Sequence, residues 1–261
     1  MPKERRQRIT RGRSSQPTGR VKASKAVQKR DALIEELKSI YASHHNPSAA
    51  LQAKRYLRNK FDCFGIKAPE RRSISKAVLS KMSKDITQPE LIALSCDLWR
   101  QNEREFQYFA LDLISKECRV FVGESSAEFI EAKKCLEWLI TTKSWWDTVD
   151  LLASNVTGAL VRKHPTEGTE LVKTWIDSDN LWLRRTSLLH QLKFRSETDA
   201  DLLFEFCLKC CNEKDFFIRK AIGWALRQYR RTDSLAVDQF VEENKERLSE
   251  LSQKEALKAK R

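Results

Sequence analysis

Three side chains suited to charge chemistry recur at related places in the second half of the chain. Each follows an aromatic residue at a helical offset: Asp150 four residues after Trp146, Arg185 three after Trp182, and Trp224 seven after Phe217. Offsets of three, four and seven lie on one side of an α-helix. If the three segments are equivalent parallel helices, the carboxylate, the guanidinium and the indole face one surface, with Trp146 at its edge.

A carboxylate set between two indoles stabilises a positive centre. Aromatic faces attract cations by about 0.5–2 kcal/mol each, and a carboxylate adds an attraction that is stronger in a partly dry cleft than in water. An arginine beside them can bind a phosphate through two N–H groups. An alkylated nucleotide presents this combination, because alkylation at N7 or N3 puts positive charge on a purine beside the backbone phosphate.

Other chemistries find little support in the sequence. The chain has no GxxxxGK[ST] or GxGxxG phosphate loop, no HExxH zinc motif and no GxSxG nucleophile motif. Its acidic residues form no local pair of the kind that two-acid sugar hydrolysis uses, and no lysine stands out as a Schiff-base nucleophile. We therefore expect no cofactor.

The elements that must position these residues are helices. Only seven Gly and six Pro interrupt the chain, and residues that favour helices dominate it. Aromatic residues near the start of four helices are spaced by 40, 36 and 35 residues: Phe106, Trp146, Trp182 and Phe217. Such a period predicts an all-α fold, a curved solenoid of stacked helix pairs with a concave groove. The alternative is an irregular helical bundle whose spacing is a coincidence.

Positive charge is concentrated at the N-terminus. The net charge is +13, and residues 1–30 hold eleven of the 49 Lys and Arg residues but only one acid, Glu4. We predict a disordered basic tail over 1–30 and one folded domain over 31–261, with order beginning near Asp31. A cationic tail meets nucleic acid or another polyanion, or it only aids solubility.

The cysteines indicate reduced thiols. Their number, seven, is odd, their spacing is irregular and no secretory signal precedes them, which predicts an intracellular protein, in bacterial cytoplasm or in a nucleus. Cys207 and Cys210 form a CxxC pair, but a zinc site needs two more ligands. Buried thiols on a helix and no metal are the expectation, and without an 18-residue apolar run we predict no membrane span.

Several segments resemble a known family, the bacterial-type DNA alkylation repair glycosylases, often called the AlkD family. The most specific are Thr142–Asp150, Ser178–Arg185 and Lys214–Trp224. Shorter matches are Tyr56–Asn59, Phe64–Arg72, Arg104–Gln107 and Leu251–Ala256. The resemblance runs from about Ile34 to Lys258, and the basic N-terminal extension is its main departure.

The resemblance implies a right-handed solenoid of HEAT-like helical repeats, which binds duplex DNA in its concave cleft as a monomer. It implies hydrolysis of the N-glycosidic bond of N7- or N3-alkylated purines, such as 7-methylguanine or 3-methyladenine, without flipping the nucleotide. Asp150 would stabilise the oxocarbenium ion and position water, and Trp146 and Trp224 would pack on the deoxyribose. Arg185 and Tyr56 would contact DNA. Basic residues of the same motifs complete the predicted DNA-binding set: Lys143, Arg184, Arg219 and Lys220.

Two other functions stay open at this point. One is a non-catalytic HEAT-type scaffold for nucleic acid or protein, which has no need of a carboxylate such as Asp150 in a DNA-binding cleft, where it repels phosphate. The other is an RNA-binding factor that uses the basic arm as its main contact. In that case, deletion of residues 1–30 abolishes binding, whereas a glycosylase keeps base excision and loses affinity at higher salt.

Overall fold

A computed structural model describes residues 19–258 of the chain, with side chains from residue 25. Within that range it consists of sixteen α-helices and no strand. They are α1 Gly19–Ser43, α2 Pro47–Tyr56, α3 Ala68–Ile74, α4 Lys76–Ser83, α5 Gln88–Arg100, α6 Arg104–Lys116, α7 Cys118–Val122, α8 Ser126–Thr141, α9 Trp146–Leu151, α10 Gly158–Lys163, α11 Pro165–Ile176, α12 Leu181–Leu189, α13 Ala200–Lys209, α14 Phe216–Tyr229, α15 Ser234–Glu243 and α16 Glu250–Ala256. A π-helical segment, Leu152–Thr157, joins α9 to α10.

The helices form two rows. Helices α6, α9, α12 and α14, called the cleft row here, pack on one another in that order. Helices of the other row pack behind them: α5 lies on α6, α11 on α12 and α13 on α14, while α16 packs closely on α14. Helix pairs stacked in this way bury apolar faces that no pair can bury alone. The predicted all-α solenoid of helical repeats is confirmed.

The repeat period follows from equivalent helix starts. Asn180 caps α12 and its Oδ1 accepts a hydrogen bond from the Trp182 amide at 2.9 Å. Asp215 caps α14 in the same way, accepting from the Phe217 amide at 2.7 Å. Side-chain oxygens at this position satisfy amides that the first turn leaves unpaired. The two caps therefore start successive helices of the cleft row at matching points of the repeat.

The first helix starts earlier than predicted. Helix α1 begins at Gly19, so residues 19–30 of the segment expected to be disordered are helical. The expectation of disorder rested on the scarcity of apolar residues in this segment. Apolar residues determine whether a segment can be buried, whereas a helix can form in any run that lacks proline and internal glycine. Arg30 also anchors this part of α1, because its Nε donates to the Asp97 carboxylate at 2.9 Å. The remainder of the predicted tail, residues 1–18, lies outside the described residues.

Two apolar clusters fill the interior. One includes Trp99, Phe106 and Phe121, and the other is built around Phe206 and Ile218. The predicted buried thiols are confirmed, since three cysteines lie in the second cluster: Cys207, Cys210 and Cys211. Burial raises the pKa of the Cys207 thiol well above its ordinary value. Among the helices described, none combines the length and apolar character that crossing a membrane requires.

Candidate active site

An open cleft of about 750 Å³ lies at the helices that carry the predicted chemistry. It is lined by Trp146, Asp150, Arg185, Phe216, Phe217, Lys220, Trp224, Arg227 and Glu255. The four residues that helical spacing places on one surface, Trp146, Asp150, Arg185 and Trp224, are all among them. The structure thus brings together the carboxylate, the guanidinium and the two indoles.

Asp150 is held by a bidentate ion pair. Arg185 donates from Nε to Oδ1 at 2.7 Å and from Nη2 to Oδ2 at 2.9 Å. Its Nη1 donates to the carbonyl oxygen of Phe217. Both partners are nearly buried, with side chains 5% and 12% exposed for Arg185 and Asp150. The guanidinium orients the carboxylate, and its expected contact with a DNA phosphate stays a prediction.

The charge state of Asp150 reflects two opposing effects. Burial raises the pKa of its carboxyl above the ordinary value and is the larger effect, while the hydrogen bonds and positive charge of Arg185 lower the pKa. The neighbouring Asp147 carboxylate adds to the rise. A carboxylate that is desolvated but paired presents its charge in a fixed direction, as transition-state stabilisation requires.

A π-helical segment follows Asp150 directly. Residues Leu152–Thr157 form it, and the Ser154 hydroxyl donates to the Asp150 carbonyl at 2.9 Å. Single π turns inside α-helices are rare and occur often at functional sites. The wider π turn changes the helical register. The residues of Trp146–Leu151 at the cleft and those of α10, which continues the helix into the interior, therefore do not follow one α-helical repeat.

Aromatic side chains border the cleft. Tyr56, at the end of α2, is exposed and meets the ring of Trp146 edge to face, with centroids 5.5 Å apart. Helix α2 is followed by two non-glycine residues with positive φ, Arg58 and Asn59. Such backbone is costly and is found at functional sites more often than elsewhere. On the other side, Phe216 exposes its ring beside Phe217.

Trp145, the residue before the predicted Trp146, packs among the aromatic residues of the cleft row. Trp145 is buried, and its ring packs on Trp182 and Phe217 at centroid distances of 5.7 and 5.0 Å. The spacing identifies the helices of the cleft row, and the tryptophan next to the predicted one makes the aromatic contacts between them. Trp146 is thereby left on the cleft surface.

Comparison with known proteins identifies the family of the chain. A family profile described as "DNA alkylation repair enzyme" matches residues 37–259. The chain belongs to the DNA alkylation repair enzyme family. A solved structure described as a predicted DNA alkylation repair enzyme from Enterococcus faecalis is similar, with a TM-score of 0.72 and 32% sequence identity over 82% of this chain and 96% of that one. A comparison with curated proteins gives no match.

In this DNA alkylation repair family member, Lys143 lies away from the cleft lining. Its Nζ donates to the carbonyl oxygen of Arg100 at 3.0 Å and to that of Gln101. Burial is the main reason that its pKa is lowered. Those carbonyls end helix α5 and have no partner within the helix, so a cation satisfies them. In this structure Lys143 makes a helix-end contact, and its role in binding DNA stays a prediction.

Two other arginines predicted to bind DNA, Arg184 and Arg219, both contact Glu213 in the repair-family fold. Arg184 binds Glu213 through Nε and Nη2 at 2.6 and 2.9 Å and donates from Nη1 to the Ser178 carbonyl at 2.6 Å. Arg219 donates from Nε to the Glu213 carbonyl at 2.8 Å. Neither lines the cleft. Apart from Arg185, Lys220 is the only basic residue of the predicted DNA-binding set that lines the cleft.

Four cleft residues of the repair-family site were not predicted as site residues: Phe216, Phe217, Arg227 and Glu255. Phe216 shares a helical face with Lys220 and Trp224, at successive offsets of four, so the sequence contained a signal for it. Glu255 lies in the matched segment Leu251–Ala256. Its place in the cleft depends on how α16 packs against α14, which no local pattern reveals.

Proposed function

We propose that this chain is a monofunctional DNA N-glycosylase, which hydrolyses the bond between deoxyribose and an N7- or N3-alkylated purine in duplex DNA and leaves an abasic site. One observation carries the proposal. The Asp150 carboxylate, aimed by both donors of Arg185, lies in an open cleft that also exposes Trp146 and Trp224. An anion between aromatic faces suits a sugar that becomes cationic.

The reaction divides into bond cleavage and capture by water. The C1′–N bond breaks, and both electrons go to the alkylated base, which enters as a cation and leaves neutral. The sugar becomes an oxocarbenium ion, which the Asp150 charge stabilises and the indole faces of Trp146 and Trp224 shield from bulk water. Water adds to C1′ and gives up a proton, which Asp150 accepts.

The charges in the cleft support selectivity for cationic bases. The other carboxylate there, Glu255, is bound to Lys220 and Arg227, and its pKa is lowered, first by the hydrogen bond from Lys220. It therefore stays ionised and is a poor proton donor. A neutral purine needs protonation before it can leave, whereas an alkylated purine already carries the charge. The proposed enzyme accordingly leaves undamaged purines in place.

A neighbouring ion pair provides a structural comparison for Asp150. Arg104 binds Asp147 through Nε and Nη2 at 3.0 and 2.7 Å, and both are buried between α6 and α9. Asp147 also accepts a hydrogen bond from Tyr108 at 2.6 Å. It does not line the cleft. Asp147 thus resembles Asp150 in burial and pairing but not in access to a substrate.

The test measures release of base from a duplex containing 7-methylguanine, under single-turnover conditions and with a chelator present. We expect the wild type to release 7-methylguanine, and Asp150→Asn to slow release by on the order of a hundredfold or more, because the transition state loses its charge partner. Asp147→Asn should lose stability but, below its melting temperature, stay within about tenfold of the wild type.

Each outcome has a separate meaning. A wild type that releases no base contradicts the proposed function. Both variants must be folded by circular dichroism. Equal losses of base-release rate in Asp150→Asn and Asp147→Asn would show that Asp150 only stabilises the contact between repeats.

A further inference from the structure

Glu255 is a cleft carboxylate to which the proposed chemistry gives no catalytic step. Its Oε1 lies 2.9 Å from Lys220 Nζ, and its Oε2 lies 2.8 Å from Arg227 Nη1. Lys220 and Arg227 lie on α14 four residues before and three residues after Trp224, so they flank that indole on one helical face. Glu255 therefore reaches from α16 to both cations on either side of a predicted catalytic residue.

The position of Glu255 is fixed by close packing of two helices. Gly223, next to Trp224, allows α16 to approach so closely that a Cβ there would lie 2.5 Å from the Cβ of Glu255 and 2.6 Å from the Ser252 carbonyl oxygen. The Ser252 hydroxyl donates to the Arg219 carbonyl at 2.9 Å, which ties the same helices together. The carboxylate is held over the α14 cations by this packing and does not depend on a flexible loop.

Every cation that lines the cleft already has a carboxylate partner. Asp150 pairs with Arg185, and Glu255 pairs with Lys220 and Arg227. The Asp150–Arg185 pair is nearly buried, but Lys220 and Arg227 keep 34% and 25% of their side chains exposed. A DNA phosphate entering the cleft must therefore compete with Glu255 for these two cations.

We propose that Glu255 acts as an internal competitor of DNA phosphate, which lowers the affinity of the cleft for undamaged DNA while it keeps Lys220 and Arg227 in place beside Trp224. This inference rests on the proposed action of the cleft on DNA. Phosphate neutralisation provides most non-specific DNA binding. An anion in the cleft weakens that contribution for every sequence but attracts a cationic lesion, so it widens the difference between damaged and undamaged sites.

The test compares two substitutions that change the net charge of the protein equally. Glu255→Gln removes the cleft anion, and Glu250→Gln removes a carboxylate of the same helix that is 86% exposed and pairs with Lys254. Fluorescence anisotropy with a short undamaged duplex, over a series of KCl concentrations, gives affinity and salt dependence. We expect Glu255→Gln to bind roughly three- to tenfold more tightly, with a slope of log K against log salt steeper by about one.

The control and the opposing outcomes are direct. Glu250→Gln should match the wild type within about twofold, because an exposed charge outside the cleft is screened by salt. The inference is overturned if the affinity for duplex changes equally in both variants. It is also overturned if Glu255→Gln weakens binding, because Glu255 would then position Lys220 and Arg227 for DNA and not compete with it.

A second pair of variants covers the case in which Glu255→Gln fails to fold. Lys220→Gln removes one cation that pairs with Glu255. Its affinity for undamaged duplex should fall further than that of Lys254→Gln, a control that removes an exposed cation from the same helix as Glu255. Equal binding by these two variants overturns the inference. Base release is a separate readout, and its absence in the wild type refutes the proposed function. Equal affinities of Glu255→Gln and Glu250→Gln for undamaged duplex refute only this inference.

Discussion

Asp150 is stabilised as an anion by only one strong partner. Removal of a carboxylate from water favours its neutral form, and the two hydrogen bonds from Arg185 offset that effect. In a cleft closed by a substrate, such a charge is stronger than in water, because less solvent screens it and no reorganisation is needed when the sugar becomes cationic. Under the proposed function, the two hydrogen bonds from Arg185 orient the acid for catalysis.

The raised pKa of Asp150 predicts an acid limb in the excision rate. The carboxylate must be ionised to act, so activity should fall as the pH drops through a pKa above the ordinary aspartate value of 3.8. We expect single-turnover rates on 7-methylguanine duplex, corrected for depurination without enzyme, to show this limb. Asp150→Asn should lack it. A wild-type rate that is flat down to the ordinary value would contradict the assignment.

Stability must be followed at each pH because two buried groups respond with opposite signs. Folding raises the pKa of Asp150, so protonating this carboxyl does not weaken the folded state. Burial lowers the pKa of His190 to about 4, so the folded state holds it neutral. Its contribution to stability is lost as the pH falls from the ordinary value of 6.5 towards 4. Melting curves at each pH therefore show whether a fall in the excision rate at acidic pH comes from protonation of Asp150 or from unfolding.

At the scale of elements, the contact between α14 and α16 sets the shape of the cleft. Trp224 and the residues that flank it come from α14, and Glu255 comes from α16. The close approach at Gly223 determines how far the two helices stand apart. A side chain at this position must move one helix or distort its neighbours.

Gly223→Ala tests this packing. Helix propensity alone favours alanine over glycine by about 1 kcal/mol, but a Cβ 2.5 Å from that of Glu255 should reverse the sign and lower the free energy of unfolding by about 1–3 kcal/mol. Urea denaturation measures the change. A variant more stable than the wild type would show that the helices are not in such close contact.

At the scale of the whole molecule, buried ion pairs connect consecutive repeats. Arg104 of α6 binds Asp147 of α9, and Arg185 of α12 binds Asp150 of the same helix α9. In a solenoid, stability depends on the interfaces between neighbouring repeats. Loss of one member of such a pair costs about 3–5 kcal/mol, because the partner stays buried and unpaired. The site and the stacking of the repeats therefore share residues.

The N-terminal charge offers a test at the same scale. Residues 1–18 hold six of the 49 Lys and Arg residues and one acid. Deleting them should leave the excision rate at saturating enzyme unchanged but weaken duplex binding and flatten its salt dependence, because fewer counterions are released. Binding and base release over a KCl series measure both. A deletion to residue 30 would also remove the Arg30–Asp97 contact.

A full-length variant with the six basic residues replaced by Gln is the matched control. It should behave like the deletion if charge is responsible. Loss of all nucleic-acid binding on deletion would instead support the alternative in which the basic arm is the main contact.

The sequence by itself determined the helical repeat and the inner face of the cleft row. Asp150, Arg185 and Trp224 meet because offsets of three, four and seven are properties of one helix, and a regular period places equivalent helices side by side. These are local patterns, which survive in any fold that keeps the helices and their stacking.

Only the tertiary structure decided the partners of the charged side chains. Lys143 and Arg184 resemble DNA-binding residues in the sequence, yet Lys143 satisfies carbonyls at the end of α5 and Arg184 binds the Glu213 carboxylate. Arg185 is turned onto Asp150, and Glu255 enters the cleft from α16. A long cationic side chain can reach many acceptors, and which one it meets depends on the distance between helices far apart in the sequence, which packing sets.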